Sequence, residues 1–401
     1  MATALLLSMS SFAQQALFDN VPVVSPELNA NHTVTFRLKA PNAQKVQITG
    51  DFLPTKQIDT PVGKYDAPGV ADLVKDDKGV WSFTSTNLSP ELYSYNLLLD
   101  GVKIVDPGSV YITRDITSVT NIFILSDKKG DCGDLYTVNE VPHGNVQKVW
   151  YDSPTLKMQR RMTVYTPAGY DKGKDYPVLY LLHGAGGDED AWTTLGRASQ
   201  ILDNLIATGK AKPMVVVMTN GNPNCQAAPG EWSAGMYVPS FYGYQGAKAV
   251  ATMDESFPDV MNYVESHYKV GKDKAHRAIC GLSMGGGHSF DISRRFPNKF
   301  DYVGLFSAGL HVGKTGDFRT DFYKMLQEDE EAKQQLAILF KNKPKLYWIG
   351  MGKTDFLYKS TAGLRRYFDE KGYKYTYMET EGGHIWRNWR VYLTEFAQKI
   401  F

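Results

Sequence analysis

The sequence is poor in cysteine. Its 401 residues include three, Cys132, Cys225 and Cys280, which are too few and too widely spaced for a disulfide framework or a zinc site. Cys280 lies in a predicted apolar strand, so we expect it to be a small buried residue. Cys132 and Cys225 could form a bridge in an oxidising compartment if the fold brings their Cα atoms close enough, which the sequence does not decide.

An excess of charge of either sign is also absent. The chain has 44 Lys and Arg residues against 43 Asp and Glu, a formal net charge of +1, and both signs are spread along it. A protein that binds nucleic acid or an anionic membrane surface usually carries a basic patch. We therefore expect neither partner for this chain.

Motifs for metals and cofactors are missing as well. No His-Glu-x-x-His pattern, carboxylate-rich cation loop or phosphate-cradling glycine loop occurs in the sequence. We therefore expect no metal and no cofactor. The chemistry of the protein then depends on its own side chains.

No apolar run reaches the length of a membrane span. Residues 2–13 resemble the apolar region and small-residue cleavage site of a secretory signal that ends after Ala13, although no basic residue begins it. No cysteine follows closely, so a lipid anchor is not indicated. We expect residues 1–13 to be a signal peptide and the protein to be secreted or periplasmic.

The sequence pattern changes near residue 130, which predicts two domains. Short alternating runs over residues 14–128 predict an antiparallel, immunoglobulin-like β-sandwich, and a polar linker follows at 129–145. Over residues 146–401, apolar strands alternate with longer helical patterns. This alternation is typical of an α/β fold, in which helices cover both faces of a parallel sheet and form a three-layer sandwich.

Residues Gly281 to Gly285 have the pattern Gly-x-Ser-x-Gly, with Ser283 at its centre. A short apolar run precedes the pattern and a helix-like stretch follows it, which indicates a nucleophile elbow between a strand and a helix. Glycine at both flanks lets the tight turn form without side-chain clashes. A serine hydroxyl is a poor nucleophile at neutral pH, so Ser283 also requires a base.

A second glycine-rich turn follows a predicted strand at residues 176–182 and has the sequence His183-Gly184-Ala185-Gly186-Gly187. We call residues 183–187 the oxyanion loop, because backbone N–H groups in such a loop can stabilise a negative tetrahedral intermediate. We assign that role to the amides of Ala185 and Met284. His183 is expected to brace the loop rather than to transfer protons.

The acid and the base are expected after late strands of the same sheet. Asp355 follows the predicted strand 345–350, and His384 follows the predicted strand 373–378. In this assignment His384 takes the proton of Ser283, and Asp355 fixes the tautomer of His384. Asp317 is the competing acid. The other histidines after the serine are His288, expected to pack beneath the site, and His311, expected near the substrate.

Aromatic residues cluster in a long predicted loop, residues 221–251, at the catalytic edge of the sheet. We predict that Trp232 and Tyr237 from this loop contact substrate, together with His311 and with Trp386 beside His384. Such rings suit an aromatic acyl group. They could equally pack the loop onto the body of the protein or hold sugar rings.

With these motifs in hand, residues 145–401 resemble the esterase D-like hydrolases of carbohydrate esterase family 1, which includes feruloyl and acetyl xylan esterases. The resemblance covers the oxyanion loop, the elbow from His276 to Gly287, Gly352-Lys353-Thr354-Asp355 and Gly382-Gly383-His384. It implies an α/β-hydrolase fold with a serine triad. The earlier part resembles the early-set, family 48 type carbohydrate-binding module, through the segments 40–43, 50–52, 79–81 and 100–107.

The resemblance implies a serine esterase that releases ferulic acid from arabinoxylan side chains, so that the partner is a feruloylated or acetylated plant cell-wall polysaccharide. An acetyl xylan esterase is the first alternative. A siderophore trilactone esterase and a sugar acyltransferase are further alternatives. The module-like domain lacks the family's sugar-binding tryptophan, since Leu53-Pro54-Thr55-Lys56 stands after Gly50-Asp51-Phe52. It is therefore expected either to bind glycan or to act as a scaffold that shapes the cleft.

Overall fold

The computed structural model describes residues 23–60, 63–238, 249–312 and 321–401. The predicted signal peptide, residues 1–13, lies outside these ranges. So do Asp317 and the part of the aromatic loop that contains Phe241, Tyr242 and Tyr244.

The N-terminal part is built from short strands. They are β1 (Glu27–Leu28), β2 (Val34–Lys39), β3 (Val46–Gly50), β4 (Lys56–Thr60), β5 (Gly63–Ala67), β6 (Gly69–Asp72), β7 (Val74–Lys75), β8 (Val80–Thr84), β9 (Glu91–Leu99), β10 (Val102–Ile104), β11 (Ile112–Asp115) and β12 (Ser118–Leu125). The order β1-β2-β8-β7 forms one sheet, and β11-β12-β9-β3-β6 forms a second sheet to which β10 adds through β9. All of these pairs are antiparallel.

Alternation of apolar and polar residues along these strands places one face of each sheet in a shared core. Phe36 of β2 is fully buried there, and its ring centroid lies 4.7 Å from that of Tyr95 and 5.6 Å from that of Phe123, both on the other sheet. The sandwich expected from the sequence is confirmed. The five strands predicted here, at 33–38, 45–48, 80–83, 93–97 and 120–123, each overlap an observed strand.

The C-terminal part alternates strands and helices. Its elements are α1 (Cys132–Tyr136), β13 (Asn145–Ser153), β14 (Met158–Thr166), β15 (Val178–Leu182), α2 (Ala191–Thr194), α3 (Ala198–Ala207), β16 (Val215–Thr219), α4 (Met253–His267), β17 (Arg277–Leu282), α5 (Met284–Arg295), β18 (Tyr302–Phe306), α6 (Phe322–Glu328), α7 (Glu330–Lys341), β19 (Leu346–Gly352), α8 (Tyr358–Lys371), β20 (Thr376–Thr380) and α9 (Trp386–Ala397). The eight strands form one sheet in the order β13-β14-β16-β15-β17-β18-β19-β20.

The six strands β16, β15, β17, β18, β19 and β20 lie side by side in this order, and each is parallel to its neighbour. Strand β14 pairs antiparallel with both β13 and β16. The sequence pattern predicted the parallel part and missed β13. The edge strand β13 was hard to detect because most of its residues are exposed, so it lacks a continuous apolar run.

Successive residues of the central strands face two different cores, as strand geometry requires. Tyr180 and Ile279 pack with the helices α4 to α8 on one face of the sheet. Leu179 and Cys280 pack with α3 and α9 on the other face. The resulting three-layer α/β sandwich is the fold class that the sequence predicts.

The two parts of the chain are tied together by a buried ion pair. Nη2 of Arg390 in α9 lies 3.1 Å from Oε1 of Glu91 in β9, and both side chains are at most 8% exposed. The same guanidinium donates to the carbonyls of Leu92 and Leu195. Within the predicted linker, residues 129–145, the short helix α1 packs against α3 and β9, and its Tyr136 is buried. The segment therefore contributes to the core on the α9 side of the sheet.

None of the three cysteines is part of a disulfide. The bridge between Cys132 and Cys225 that the sequence left open is not formed, and Cys280 is buried in β17 as expected. In the described ranges, no helix combines the length and apolar character needed to cross a membrane.

Candidate active site

Ser283 stands at the junction of β17 and α5 with backbone angles φ 52° and ψ −116°. Its N–H donates to the carbonyl of Phe306 in β18 at 2.9 Å, and its carbonyl accepts the N–H groups of Gly287 and Gly309 at 3.0 and 2.8 Å. These bonds hold a non-glycine residue in an unfavourable backbone region, as a nucleophile elbow requires.

The two glycines of the elbow are needed because backbones approach closely there. A Cβ atom at Gly285 would lie 2.5 Å from the carbonyl oxygen of His183 and 2.6 Å from that of Leu182. A Cβ atom at Gly281 would lie 2.5 Å from the backbone of Gly285. Only glycine fits at either position, since the clashing atoms are backbone atoms that cannot move aside.

The oxyanion loop lies directly beside the serine. A Cβ atom at Gly184 would lie 3.2 Å from Cβ of Ser283, and the N–H of Gly187 closes the loop on the carbonyl of Gly184 at 3.1 Å. Ala185 at the tip is exposed. Met284 is the first residue of α5, where backbone N–H groups have no partner within the helix. Both proposed donors therefore border the serine.

His183 braces the oxyanion loop, as the sequence predicts. Its ring is 1% exposed, Nδ1 lies 2.7 Å from the carbonyl oxygen of Gly184, and Nε2 accepts the N–H of Gly221 at 2.7 Å. The accepted bond requires an unprotonated Nε2, so the proton is on Nδ1. Burial lowers the pKa of His183 and keeps the ring neutral.

The segment after the oxyanion loop is fixed by a buried charged network. Oε1 of Glu189 lies 2.7 Å from Nε of Arg161 and accepts the N–H of Ala228 at 2.8 Å. Its other oxygen accepts from the side chain of Asn220 at 3.0 Å. Glu189 is fully buried, and both of its carboxylate oxygens have hydrogen-bond partners. Because Arg161 belongs to β14, the network anchors the segment after the oxyanion loop to that strand.

His384 and Asp355 form a hydrogen-bonded pair at the carboxyl ends of β20 and β19. Nδ1 of His384 lies 2.9 Å from Oδ2 of Asp355, whose side chain is fully buried, while the histidine side chain is 18% exposed. The second carboxylate oxygen accepts the N–H of Leu357 at 2.9 Å. The described residues show no hydrogen bond between Oγ of Ser283 and His384. In free enzymes such catalytic contacts are often long and tighten with substrate.

Aromatic rings surround His384. The ring centroid of Phe356 lies 4.6 Å from that of His384. The ring of Trp389 stands edge-on to that of His384, with the centroids 4.9 Å apart. Trp386 stands edge-on to Trp389 at 5.1 Å and to Trp192 at 5.3 Å. Phe356 is 42% exposed and was not identified from the sequence, because a phenylalanine next to Asp355 has no distinguishing pattern.

The sequence predicts that four residues contact substrate, Trp232, Tyr237, His311 and Trp386. The indole of Trp232 packs so closely against the backbone of Gly235, in the same loop, that a Cβ atom at Gly235 would overlap it. Tyr237 is 90% exposed and stands at the end of a described range. His311 is exposed and also stands near such an end. Trp386 is joined to His384 through ring contacts, since its ring packs edge-on against Trp389 and Trp389 packs edge-on against His384.

His288 lies in α5 below the elbow, where the sequence places a packing residue. Its Nδ1 is buried and has no partner among the described residues. Burial lowers the pKa of His288 to about 4, and the neighbouring His183 acts in the same direction. The ring is therefore neutral near pH 7.

A residue of the N-terminal sandwich also reaches this site. Ile116, in the turn between β11 and β12, has φ 54°, and a Cβ atom at Gly186 would come within 2.8 Å of its Cγ1. The left-handed region costs an ordinary L-residue about 1–2 kcal/mol, and a β-branched one is an outlier there. No sequence signal marked this residue, because it lies 70 positions from the loop it contacts.

No group of three or more His, Cys, Asp or Glu side chains within the described ranges is arranged to hold a metal ion. The arrangement at the sheet edge is a serine, a histidine positioned by a carboxylate, and two proposed backbone donors. Such a constellation can carry out acyl transfer through a covalent intermediate.

Comparison with known proteins agrees with this chemistry. The model of a family described as "Putative esterase" matches residues 153–400. An endo-1,4-beta-xylanase/feruloyl esterase of Xylanibacter ruminicola is 30% identical over 387 residues, which cover 94% of this chain and 46% of that protein. The chain thus spans less than half the length of this curated relative.

Two solved structures are similar in fold. A CE1 ferulic acid esterase from Anaeromyces mucronatus is 25% identical, with a TM-score of 0.50, over 67% of this chain and 96% of that one. The enterobactin esterase of Shigella flexneri is 13% identical, with a TM-score of 0.58, over 96% of this chain and 97% of that one. The second match shows that the fold of the whole chain, N-terminal sandwich included, occurs in another protein.

Proposed function

We propose that this chain, which belongs to the family described as "Putative esterase", is a carboxylic ester hydrolase that releases ferulic acid from arabinoxylan side chains through an acyl-enzyme on Ser283. The observation that carries the proposed reaction is the pair of His384 and Asp355, 2.9 Å apart at the sheet edge that also holds the strained elbow of Ser283. The named activity of the xylanase/feruloyl esterase relative supports the proposed acyl group.

In the proposed acylation step, Oγ of Ser283 attacks the ester carbonyl and transfers its proton to Nε2 of His384. Nδ1–H of His384 donates to Asp355, which stabilises the imidazolium. The amides of Ala185 and Met284 hold the developing oxyanion. Collapse of the tetrahedral intermediate breaks the bond to the sugar oxygen, which leaves as an alcohol with the proton from His384.

Deacylation repeats these roles with water as the nucleophile. His384 removes a proton from the water, which attacks the acyl carbonyl and forms a second oxyanion beside Ala185 and Met284. Collapse returns the proton to Oγ of Ser283 and releases ferulic acid. Ionisation of the acid at neutral pH favours its departure.

Two exposed or half-exposed rings near His384 support an aromatic acyl group. Phe356 is 42% exposed with its ring 4.6 Å from that of His384, and Trp386 lies on the same aromatic cluster. A hydroxycinnamoyl ring gains roughly 0.5–1.5 kcal/mol from each such ring pair beyond area burial. We retain Trp232, Tyr237 and His311 as proposed substrate contacts, because they lie in the segments that follow β16 and β18 at the carboxyl edge of the parallel sheet.

Plant cell-wall xylan is the proposed substrate, and the proposed site of action is outside the cytoplasm. The secretory pattern of residues 2–13 supports this location. For the N-terminal sandwich we favour a scaffold role over glycan binding. Its buried ion pair between Glu91 and Arg390 joins it to α9, the helix that follows His384.

The test compares kcat/KM on methyl ferulate and on acetylated xylan, with the Ser283→Ala variant as control. Release of ferulate that falls by several orders of magnitude in Ser283→Ala is the expected result. Release of acetate alone would replace the proposal with an acetyl xylan esterase. Silence on both substrates would redirect the search to siderophore trilactones and to sugar acceptors of an acyl group.

A further inference from the structure

The turn between β11 and β12 brings the N-terminal sandwich into contact with the oxyanion loop. Two residues, Ile116 and Thr117, connect these strands, since Asp115 pairs with Ser118. The side chain of Ile116 lies so close to Gly186 that a Cβ atom there would fall 2.8 Å from Cγ1 and 2.9 Å from Cδ1. Gly186 is the residue after Ala185, a proposed oxyanion donor.

We propose that Ile116 and Arg114 are positioning residues of the esterase site, which hold the oxyanion loop in its catalytic geometry from the N-terminal sandwich. The inference rests on the proposed role of the oxyanion loop. It assigns to the sandwich a contribution to catalysis that glycan binding or simple linkage would not provide.

Arg114 supplies the polar half of this contact. Its Nη2 lies 2.5 Å from Oδ2 of Asp188, whose side chain is 2% exposed, and its Nη1 donates to the carbonyl of Ile116 at 3.3 Å. Asp188 directly follows the oxyanion loop. One guanidinium therefore joins the hairpin turn to the segment that leaves the loop, in a charge-assisted bond that is partly shielded from water.

The hairpin also packs towards the histidine side of the site. Its strand β11 contacts α2, whose Trp192 stands edge-on to Trp386 with the ring centroids 5.3 Å apart. Trp386 packs edge-on against Trp389, whose ring contacts His384. The hairpin thus touches the supports of both the oxyanion loop and the base.

The backbone conformation of Ile116 supports a role for its side chain in positioning the oxyanion loop. Two-residue hairpins favour glycine or asparagine at positions with positive φ, and Ile116 has φ 54°. Strain of this kind persists where surrounding structure determines the conformation, and it is frequent at functional sites. Glycine would relieve the strain but would leave Gly186 without its apolar neighbour.

Loss of this contact should affect the transition state more than substrate binding. The amide of Ala185 interacts with an oxyanion that exists only during the reaction, so a displaced loop lowers kcat and leaves KM largely unchanged. A small misplacement of a catalytic group is sufficient for a large loss of rate.

The experiment compares Ile116→Gly with Lys157→Gly in the full chain. Lys157 has φ 56°, is exposed, and lies in the turn between β13 and β14, so its variant changes the backbone in the same way away from the site. Both are assayed with p-nitrophenyl acetate and methyl ferulate. The endpoint of a fluorophosphonate titration of Ser283 counts the correctly folded sites.

For Ile116→Gly we expect a fall in kcat of about tenfold per titrated site on both esters, with KM within about twofold of the wild type. A trifluoromethyl ketone forms a tetrahedral adduct with its oxygen in the oxyanion site, so its affinity should weaken by the same factor. Ile116→Leu should restore most of the rate. Lys157→Gly should match the wild type.

The proposal is overturned if kcat per titrated site is unchanged, if KM rises while kcat is retained, or if the ketone binds both proteins equally. Each outcome is separable from failure of the proposed function. An enzyme that is silent on methyl ferulate but hydrolyses p-nitrophenyl acetate through Ser283 would refute the acyl assignment and still test the hairpin. Loss of the Ser283→Ala effect on both esters would refute the nucleophile itself.

Discussion

The carboxylate of Asp355 is held by two different bonds: Oδ2 lies 2.9 Å from Nδ1 of His384, and Oδ1 accepts the N–H of Leu357 at the same distance. The first turn after β19 therefore fixes the plane of the carboxylate before it meets the histidine. Because the side chain is fully buried, no water competes for either oxygen. The histidine is thus presented with Nδ1 occupied and Nε2 available for proton transfer.

Replacing Asp355 with asparagine should lower kcat by about a thousandfold or more while the protein stays folded, because the amide stabilises the wrong histidine tautomer and not the imidazolium. Steady-state kinetics on methyl ferulate check this, with circular dichroism as the folding control. Asp369→Asn, whose carboxylate accepts a hydrogen bond from the hydroxyl of Tyr375 at the surface away from His384, should match the wild type. A loss of tenfold or less in Asp355→Asn would transfer the role to Asp317.

Gly285→Ala should destabilise the protein by about 3 kcal/mol or more, since its Cβ would meet two backbone carbonyl oxygens. Urea denaturation followed by tryptophan fluorescence measures the change. Gly309→Ala is the matched control: it lies beside the same serine, but its nearest neighbour would be 3.5 Å away, an ordinary contact. Equal stability of the two variants would mean that the elbow relaxes more readily than its packing indicates.

The elbow, the oxyanion loop and the order of acid and base could be predicted because each has a local signal. Ser283 lies between glycines after an apolar strand, and Asp355 and His384 directly follow two late strands. The strands were located within a few residues, since buried strands of a parallel sheet are continuous apolar runs. A single capping bond is harder to foresee: α6 and α7 are separated at Asp329, whose side chain accepts the N–H of Ala332 and caps α7.

The contact between Ile116 and Gly186 could not be predicted in this way. It joins the N-terminal sandwich to the oxyanion loop across 70 positions, and an isoleucine in a short turn gives only a weak local preference against the observed backbone. The helix α1 has five residues, too few for a periodic pattern, and depends on its cap at Asp131. Long-range packing and single capping bonds leave no periodic signal in the sequence, so they could not be predicted from it.

Acid should destabilise the protein through His288. Burial lowers its folded pKa to about 4, whereas an unfolded histidine titrates near 6.5. Between these values the unfolded chain binds more protons than the folded one. The contribution of neutral His288 to the free energy of unfolding is therefore fully present above pH 6.5 and falls by up to about 3 kcal/mol towards pH 4. Urea midpoints of the wild type and His288→Gln from pH 7.5 to 4.5 measure the difference.

The wild type should lose more stability than His288→Gln across that range, and His267→Gln should follow the wild type because His267 is exposed. The buried His183, whose pKa burial also lowers, remains in every variant and contributes a common slope. Parallel curves for wild type and His288→Gln would show that His288 is protonated without cost in the folded state.

Arg390→Met should cost about 3 kcal/mol, because buried Glu91 would lose its 3.1 Å partner and keep only the 3.8 Å contact with the half-exposed Arg387. The expected result is a lower urea midpoint for the whole chain in a single transition, since the pair joins β9 of the sandwich to α9. Lys399→Met breaks the exposed pair with Glu395 and should cost about 0.5 kcal/mol or less. A loss below 1 kcal/mol in Arg390→Met, or a separate early transition of the sandwich, would contradict tight coupling of the two parts.

Phe356→Ala tests whether the exposed ring beside His384 contacts the acyl group. An aromatic contact of about 1.4 kcal/mol corresponds to tenfold in affinity, so KM for methyl ferulate should rise by up to about tenfold. The acyl group of p-nitrophenyl acetate is acetyl, whose methyl group is too small to reach the ring in the same way, so kcat/KM for this ester should change less than twofold. Phe356→Leu keeps the apolar bulk but loses the ring, so its KM for methyl ferulate should lie between those of the wild type and the alanine variant.

Tyr237→Ala provides the comparison for the aromatic loop. Because the Tyr237 side chain is 90% exposed, it has little packing to lose, so any rise in KM would come from a lost substrate contact. An equal effect of Phe356→Ala on both esters would instead mean that the ring supports His384, because loss of that support slows every acyl transfer at the site.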